Sequence, residues 1–597
     1  MLAHKLRIAG FAAASLIAPT VLPAEQNAPA TPPPVLIGEP HREYLSRVAR
    51  RTVQDAGLPE KPYEPAYVPE GLATLSAEAV VRLRHHGYLF GVGVGGPGSI
   101  VRATRDAALA ACGGLPKGQF SRLDKDEWLI EIEVLGSAVA LPSGIDWTQP
   151  SAVEPFIEPG VDGLLVIVGE ATRRVCPSEI VASESTIAEA AKLLAQGLQL
   201  TAGQIARTPL MRFRTAHWYE PSASRSIVSL HRGLTLVSPN AVSAAGLKEA
   251  IDRIAEYMVY RQRSTGLFSY QFEPGADRFS DEDNVVRQAG ATMALAVHAQ
   301  WSGRSASLAA ADAAVANHLQ GISALPSASG ASFIATGDGK NKLGVTAMLA
   351  LALAQHPDAA RFETTRQRLL AGMLTLQRPS GMFMTAFPPA IDVRGQDYFP
   401  GEALLALADE YDRRPSPAIL EAFDRAIDFY RDYFDASRSA AFVSWQVQAF
   451  ALMAKHTKRK DYNDYVFALT DHLAAKQLTS ANCAWPELHG AIAGPGSSQA
   501  GASTASYLEA FTDALVLAST IGDAERVRRY EGLVRDAARF VIQLQVRPEE
   551  AYFIRSPQDA VGGIRAAPAL NKLRIDHCQH ALVALIKARE ALFPTDG

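Results

Sequence analysis

The sequence from about residue 240 onward alternates two kinds of predicted helix, and this alternation constrains the fold more than any other feature. One kind is amphipathic, and the other is apolar on nearly every face. A helix that is apolar all round belongs inside a core, whereas an amphipathic helix covers one. The apolar segments are 284–299, 343–355, 400–411, 441–456, 504–520 and 576–591, preceded in turn by the amphipathic segments 247–261, 306–319, 362–376, 417–434, 462–476 and 524–544.

The connections between these helices also repeat. Gln262 is followed by Gly266 and Phe268, and Gln377 is followed by Gly381 and Phe383, while a third copy after Gln545 lacks the glycine. Self-similarity at a period of about 40 to 60 residues indicates stacked supersecondary units. Six helical hairpins, each with one buried and one covering helix, predict a C-terminal all-α (α/α)6 toroid over residues 240–597.

The order of the hairpins predicts which rim of the toroid carries function. If the six inner helices are parallel, their N-termini meet at one rim, together with the long loops such as 262–283 and 378–399. Long loops on a rigid scaffold are where function usually lies. Six helix N-termini also give that rim a positive partial charge, which favours carboxylates.

Three acids at the starts of inner helices are the leading catalytic candidates: Asp283, Glu402 and Asp576. Glycoside cleavage needs two facing carboxyl groups, one protonated and one ionised. We expect Tyr398 and His577 to assist them. The competing interpretation is that each acid caps its own helix and complements the helix dipole.

Further residues on the same rim are candidates for substrate binding: Tyr270, Arg287, Trp485, His489 and His580. Aromatic rings stack on sugar faces, although many only anchor a loop to its scaffold. Arg287 is charged in an otherwise apolar helix, so it either pairs with Asp283 one turn earlier or binds a substrate carboxylate.

The four cysteines allow two further hypotheses. Cys112 and Cys176 lie in one half of the chain and Cys483 and Cys578 in the other, which makes two disulfides the economical pairing for an exported protein, with four free thiols as the alternative. Cys483 and Cys578 have histidines nearby, so a zinc site is the competing hypothesis. We predict no cofactor and no metal.

The N-terminus resembles an export signal. Lys5 and Arg7 precede an apolar run that ends in small residues at Ala24, so residues 1–24 are predicted to be a signal peptide and the protein to be periplasmic or secreted. No later segment is long and apolar enough to insert stably in a membrane. The net charge of −4 disfavours a nucleic-acid-binding surface, and the sequence leaves the oligomeric state open.

Residues 25–71 are predicted to be a proline-rich linker with a short helix over 41–56, and residues 72–223 to be an α+β domain. In that domain the predicted elements are helices at 101–112 and 185–197, strands at 128–134 and 210–218, and a hairpin over 163–176. The glycine run 91–98 lacks the spacing of a nucleotide-binding loop and is predicted to be a turn or mobile loop.

Two resemblances follow from these segments. The segments 130–135, 157–166 and 210–213 resemble the AMMECR-type domain, although that family's Leu-Arg-Gly-Cys-Ile-Gly hexapeptide is absent. The helical half is similar to the toroids of six-hairpin glycosidases, polysaccharide lyases and terpenoid cyclases. The resemblance implies an exported carbohydrate-active enzyme, a hydrolase or lyase, whose partner is a glycan. The alternatives are a non-catalytic scaffold or binding protein and a zinc-dependent toroid enzyme.

Overall fold

A computed structural model describes residues 32–33, 35–56, 63–113, 127–221, 226–493 and 500–594. The predicted signal peptide, residues 1–24, lies outside these residues. Across the described part of the chain, no helix combines the length and the apolar character needed to cross a bilayer. The described chain contains a β-rich N-terminal domain and a helical C-terminal domain, and the two pack against each other.

The N-terminal domain is built on an antiparallel sheet with the strand order β2-β1-β3-β7-β5-β6, and β4 and β8 also pair with β7. The strands are β1 (Glu78–His85), β2 (Tyr88–Gly95), β3 (Leu129–Leu135), β4 (Val139–Ala140), β5 (Asp162–Val168), β6 (Ala171–Val175), β7 (Leu210–Glu220) and β8 (Val228–Leu230). The helices are α1 (Glu39–Asp55), α2 (Glu70–Ala73), α3 (Ile100–Gly113), α4 (Pro150–Val153), α5 (Pro177–Ser183), α6 (Ile187–Gly197) and α7 (Ala202–Ile205). The predicted helices and strands of this domain are all present within one or two residues of their predicted bounds.

The short helix predicted within the linker 25–71 is present as α1, but it does not behave as part of a linker; residues 25–31, 34 and 57–62 of that segment lie outside the described residues. Leu45, Val48 and Val53 on this helix are fully or almost fully buried in the same core as the central strands. Arg50 also forms a buried ion pair with Glu220 on β7, with 3.1 Å between Nε and Oε2. Because apolar burial and a buried ion pair both hold it, α1 is part of the N-terminal domain.

Residues 91–95 of the glycine run lie in strand β2 rather than in the predicted turn or loop, and only residues 96–98 connect that strand to the next element. Gly91, Gly93 and Gly95 lie on one face of β2, where a Cβ would come within 2.2, 1.9 and 1.8 Å of backbone carbonyl oxygens of α3. Residues two apart on a strand share a face. The glycines therefore let α3 pack directly on the strand backbone.

The C-terminal domain is the predicted toroid. Its outer helices are α8 (Ala244–Tyr260), α10 (Ser305–Leu319), α12 (Glu363–Leu374), α14 (Pro417–Ser437), α16 (Lys460–Ala474) and α18 (Ala524–Leu544). Its inner helices are α9 (Val285–Ser302), α11 (Leu343–Ala354), α13 (Phe399–Arg413), α15 (Ala440–Thr457), α17 (Ser503–Thr520) and α19 (Ile575–Leu592). Each inner helix packs on the next, and α19 packs on α9, so the ring closes. The predicted fold class is confirmed.

Short strands decorate the loops of the toroid: β9 (Gln271–Glu273), β10 (Arg278–Phe279), β11 (Ile322–Ala324), β12 (Ser332–Ile334), β13 (Arg565–Ala567) and β14 (Leu570–Arg574). The order β10-β9-β14-β13 ties the loop before α9 to the loop before α19. This small sheet closes the ring on the side of the long loops.

The repeated glutamine and glycine fasten neighbouring hairpins. Gln377 donates through Nε2 to the carbonyl of Gly381 at 3.2 Å and to that of Ala422, on the next outer helix, at 2.8 Å. Gly381 has a φ of +92°, and a Cβ there would lie 1.9 Å from the Arg425 carbonyl oxygen. The same double contact is made by Gln262, Gln477 and Gln545. In the third copy, Gly562 takes the place of the missing glycine and has a φ of +92°. It lies further along the chain from Gln545 because the loop between them is longer.

Candidate active site

Two adjoining cavities open where the N-terminal ends of the inner helices meet, with volumes of about 310 and 420 Å³. We call them together the rim cavity. Residues from all six inner helices line it, which shows that the inner helices are parallel, as the repeat predicts. The residues shared by both cavities are Arg287, Tyr398, Trp445, Asp576 and His580.

The ring order places the two principal acids on opposite walls of the rim cavity. Glu402 is on α13 and Asp576 is on α19, and these helices are three positions apart in a ring of six. Both residues lie in the first turn of their helix, so both side chains start at the same level of the toroid. The cavity therefore has a carboxyl group on each of two facing walls.

Glu402 is a buried acid of the rim cavity with one oxygen that has no partner among the described residues. Its side chain is 5 % exposed, and within the described residues its Oε2 has no hydrogen-bond partner. Burial raises the pKa of Glu402 to about 8, against the opposing influence of His580. The carboxyl group is therefore protonated at neutral pH. Glu402 does not act as a helix cap, because a capping side chain accepts hydrogen bonds from backbone N–H groups and Oε2 of Glu402 accepts none from a described residue.

Asp576 has the opposite character. Arg574 binds its carboxylate through two nitrogens at 2.6 and 2.9 Å, and Arg287 Nε lies 3.0 Å from Oδ2. Burial alone would raise the pKa of Asp576, but His577 and the two arginines outweigh it and lower the pKa to about 2. This carboxylate stays ionised at every physiological pH.

His580 lies one turn after Asp576 and contacts a third acid. Its Nδ1 is 2.7 Å from Glu509 Oε1 on α17, and the Glu509 side chain is 1 % exposed. Burial lowers the pKa of His580, but the hydrogen bond and charge of Glu509 outweigh this and raise it. Glu509 is not among the residues predicted from the sequence. Glu509 could have been identified in the way that Arg287 was, because each is a charged residue within an otherwise apolar helix.

His577 is a neutral imidazole on the cavity wall. Burial lowers its pKa to about 4, and within the described residues its Nδ1 has no hydrogen-bond partner. Tyr398 is 47 % exposed at the mouth of the cavity. The cavity thus brings together six of the ten predicted site residues: Arg287, Tyr398, Glu402, Asp576, His577 and His580.

Two further side chains of the cavity were not among the predicted site residues. Trp445 on α15 is 5 % exposed, and the centroid of its indole lies 5.5 Å from that of the His580 ring. Lys342, just before α11, lines the cavity as a cation without a salt bridge to any described residue. Nothing in the sequence marks Lys342 as a site residue, because it sits in a loop.

Four predicted site residues lie elsewhere. Asp283 receives hydrogen bonds from Arg263 at 2.9 Å and Gln288 at 2.7 Å, and it does not line the rim cavity. Tyr270 is 6 % exposed and contacts Arg287 from behind the cavity wall. Trp485 and His489 belong to the loop between α16 and α17, and Trp485 faces the N-terminal domain.

Asn284 caps the start of α9. Its side-chain oxygen accepts hydrogen bonds from the backbone N–H groups of Val286 and Arg287 at 3.1 and 3.3 Å. Arg287 was expected to pair with Asp283 or to bind substrate. The pairing with Asp283 is wrong, because the guanidinium reaches across to Asp576 on the neighbouring inner helix α19. Substrate binding by Arg287 stays a prediction.

The predicted disulfides are absent, because none of the four cysteines is bonded to another cysteine. Cys578 is buried inside the ring, and burial raises its pKa to about 12, whereas Cys483 lies in the loop that faces the N-terminal domain. Among the described residues, no group of three or more His, Cys, Asp or Glu side chains could hold a metal ion. The zinc hypothesis therefore has no ligand set in the described part of the chain.

Comparisons with known proteins give similar folds at low identity. No protein-family model matches the sequence, and no curated protein does. The GH76A α-1,6-mannanase from Salegentibacter sp. HEL1_6 is similar over 58 % of this chain and 99 % of its own, with 10 % identity and a TM-score of 0.43. An unsaturated glucuronyl hydrolase specific for heparin is similar over 59 % and 98 %, with 11 % identity and a TM-score of 0.43.

A third solved structure is similar over a smaller part of the chain. The uncharacterized protein PH0010 from Pyrococcus horikoshii covers 32 % of this chain and 98 % of its own, with 20 % identity and a TM-score of 0.29. At these scores, the assignment of the toroid rests on the closed ring of inner helices itself.

Proposed function

We propose that this protein is a glycan-cleaving enzyme, a hydrolase, and that the rim cavity is its active site. The observation that carries the proposal is the divergence of two pKa values on facing walls: about 8 for Glu402 and about 2 for Asp576. A pair of carboxyl groups that the environment holds in opposite protonation states is what glycoside hydrolysis uses.

In the proposed reaction, Glu402 donates its proton to the glycosidic oxygen as the bond to the anomeric carbon breaks. The carboxylate of Asp576 stabilises the positive charge that develops on the sugar ring. Water adds to the anomeric carbon, and its proton passes to the neutral ring of His577. The products are two shorter glycans, and the proton on His577 later returns to Glu402 through solvent.

Trp445 and Tyr398 supply flat surfaces for a sugar ring, one buried at the cavity floor and one at its mouth. The charges of the cavity support a glycan that carries carboxylate groups. Arg287, Arg574 and Lys342 are cationic, and Asp576, which both arginines bind, is the ionised acid among them. His580 adds to the positive charge of the cavity when it is protonated, and its raised pKa favours that form.

The purified protein can be tested on a panel of neutral and acidic polysaccharides by measuring new reducing ends. We expect turnover on an acidic glycan, and a fall of about 10² to 10⁴-fold in kcat for Glu402→Gln. Glu421→Gln, which changes an exposed acid on the outer helix α14, is the matched control and should keep full activity. Turnover that survives in Glu402→Gln would refute the assignment.

Two alternatives give different outcomes in the same assay. A polysaccharide lyase would leave an unsaturated sugar, detected by its ultraviolet absorbance, and would not consume water. A non-catalytic binding protein would bind a glycan without any new reducing ends. The ion pairs of Asp576 with Arg574 and Arg287 are also compatible with a binding role, which is why turnover, rather than affinity, decides.

The proposal includes export to the periplasm or the outside, because the N-terminal residues resemble a signal peptide and a polysaccharide substrate is extracellular. N-terminal sequencing of the mature protein checks this, with a start near residue 25 expected. The AMMECR-type assignment of the N-terminal domain also stays a proposal. In it, the domain positions the toroid rather than taking part in catalysis.

A further inference from the structure

A second cavity, of about 300 Å³, lies between the two domains and is separate from the rim cavity. We call it the interdomain pocket. The N-terminal domain contributes Arg42 from α1, Arg214 and His217 from β7, and His231 after β8. The toroid contributes the loop with Trp485 and Glu487. Trp485, which the sequence marked as a sugar-binding residue, therefore belongs to this pocket.

The pocket is rich in hydrogen-bond donors. Three guanidinium groups line it, those of Arg42, Arg214 and Arg232, against the two carboxylates of Glu133 and Glu487. Both carboxylates are already engaged. Glu133 accepts hydrogen bonds from Arg82, Ser178 and Thr215, and Glu487 lies 2.5 Å from Arg232.

Arg42 makes no salt bridge with any described residue, although the charge of Glu39 partly offsets the effect of burial on its pKa and its guanidinium carbon lies 5.9 Å from the centroid of the Trp218 ring. Its Nη1 donates to Ser229 Oγ at 2.7 Å, but within the described residues no carboxylate lies at salt-bridge distance, and its buried Nε has no hydrogen-bond partner. Burial lowers the pKa of Arg42. A half-buried guanidinium without a counter-ion is costly unless an anion reaches it.

Arg214 provides a second guanidinium group with donor nitrogens in the same pocket. It donates through Nε to Asp162 at 3.2 Å, which leaves Nη1 and Nη2 outside that ion pair. Its guanidinium carbon lies 5.1 Å from the centroid of the Trp485 ring, and that of Arg232 lies 5.0 Å from it. The indole from the toroid thus holds two arginines of the N-terminal domain in place.

From these contacts we infer that the interdomain pocket binds a small oxyanion ligand, one that carries carboxylate or phosphate groups. Arg42 and Arg214 bind its oxygens, since the planar fork of arginine matches both kinds of anion. Residues of both domains line the pocket, so the ligand also stabilises the contact between them. This inference does not rest on the proposed activity of the rim cavity.

Calorimetric titration of the full chain with inorganic phosphate, citrate and glucuronate, at an ionic strength fixed with sodium chloride, tests the inference. At least one of the three should bind, and the tightest of them identifies the source of the oxyanion. Arg42→Gln and Arg214→Gln should each weaken that binding by about tenfold. Arg47→Gln, an exposed position on the same helix as Arg42, is the matched control and should bind as the wild type does.

A second measurement guards against misfolded variants. Arg42→Lys keeps the positive charge but loses the planar fork, so it should fold normally and show intermediate affinity. Ligand binding should also change the fluorescence of Trp485, and Trp485→Phe should remove that change. Absence of binding for all three anions, or equal affinity in the wild type and both glutamine variants, would overturn the inference.

Discussion

Gly344 on α11 lies directly against the carboxyl group of Glu402 on α13. A Cβ at position 344 would come within 2.3 Å of Glu402 Oε2 and within 2.6 Å of the Phe399 ring. The neighbouring inner helix therefore leaves only enough room for a glycine beside this acid. The position of the carboxyl group in the rim cavity depends on a residue that carries no chemistry of its own.

The first prediction follows from this contact. Gly344→Ala should push the Glu402 carboxyl group out of place and lower kcat by about 10²-fold, the size of effect that a misplacement of about 1 Å produces. Gly532→Ala is the control, because Gly532 lies on the outer helix α18 with no atom within 4 Å of its added Cβ. That variant should keep its activity and gain up to about 1 kcal/mol of stability. Equal activity in both variants would contradict the steric argument.

The second prediction concerns pH and the protonation of Glu402. Its pKa is about 8 in the folded protein, against the ordinary glutamate value of 4.5. Between these two values the folded state holds a proton that the unfolded state has lost, so stability falls as pH rises, by at most about 1.4 kcal/mol per pH unit. Glu402→Gln should remove this dependence.

Thermal unfolding of the wild type and Glu402→Gln from pH 5 to pH 9 measures the difference. The wild type should lose more stability than the variant over this range. The activity of the wild type should fall through an apparent pKa near 8 as the proton donor is lost. Parallel stability curves for the two proteins would show that Glu402 is ionised in the folded state.

The ring of helices could be predicted from the sequence, because the apolar faces of a helix are visible in its own residues. The apolar faces of α11 and α15 and the repeated Gln377 phrase can be identified without knowing any partner. The glycine run of β2 could not be interpreted in the same way. Gly91, Gly93 and Gly95 are needed because α3 packs directly on them. Glycine at every second position does not by itself show that a helix will pack there.

The site was predictable only where a residue begins an inner helix. Glu402 and Asp576 were found because the hairpin order fixes where such residues point. Their opposite protonation states could not be predicted, since Gly344, which lies against Glu402, and Arg287, which pairs with Asp576, come from other parts of the chain. Trp485 was assigned to the wrong cavity, because its surroundings depend on how the N-terminal domain docks.

The third prediction concerns the pair of Glu509 and His580. Glu509→Gln removes the charge that holds the imidazole proton, so burial should dominate and the pKa of His580 should fall below its ordinary value of 6.5. Nitrogen NMR of the histidine side chains measures this directly. Asp513→Asn, one turn further along α17 and paired with Lys587 at 2.8 Å, is the control. A shift of His580 in the control alone would refute the assigned pairing.

The last prediction tests a buried ion pair within the toroid. Glu550 has no exposed surface and accepts hydrogen bonds from Thr235 at 3.1 Å and from the buried Arg565 at 2.7 Å. Glu550→Gln leaves the Arg565 guanidinium buried without its counter-ion, which should cost about 3 to 5 kcal/mol in the free energy of unfolding. Its neighbour Glu549 has a side chain that is 41 % exposed, so Glu549→Gln should change that free energy by less than about 0.5 kcal/mol. Urea unfolding followed by circular dichroism compares the two, and equal midpoints would mean that the ion pair does not stabilise the fold.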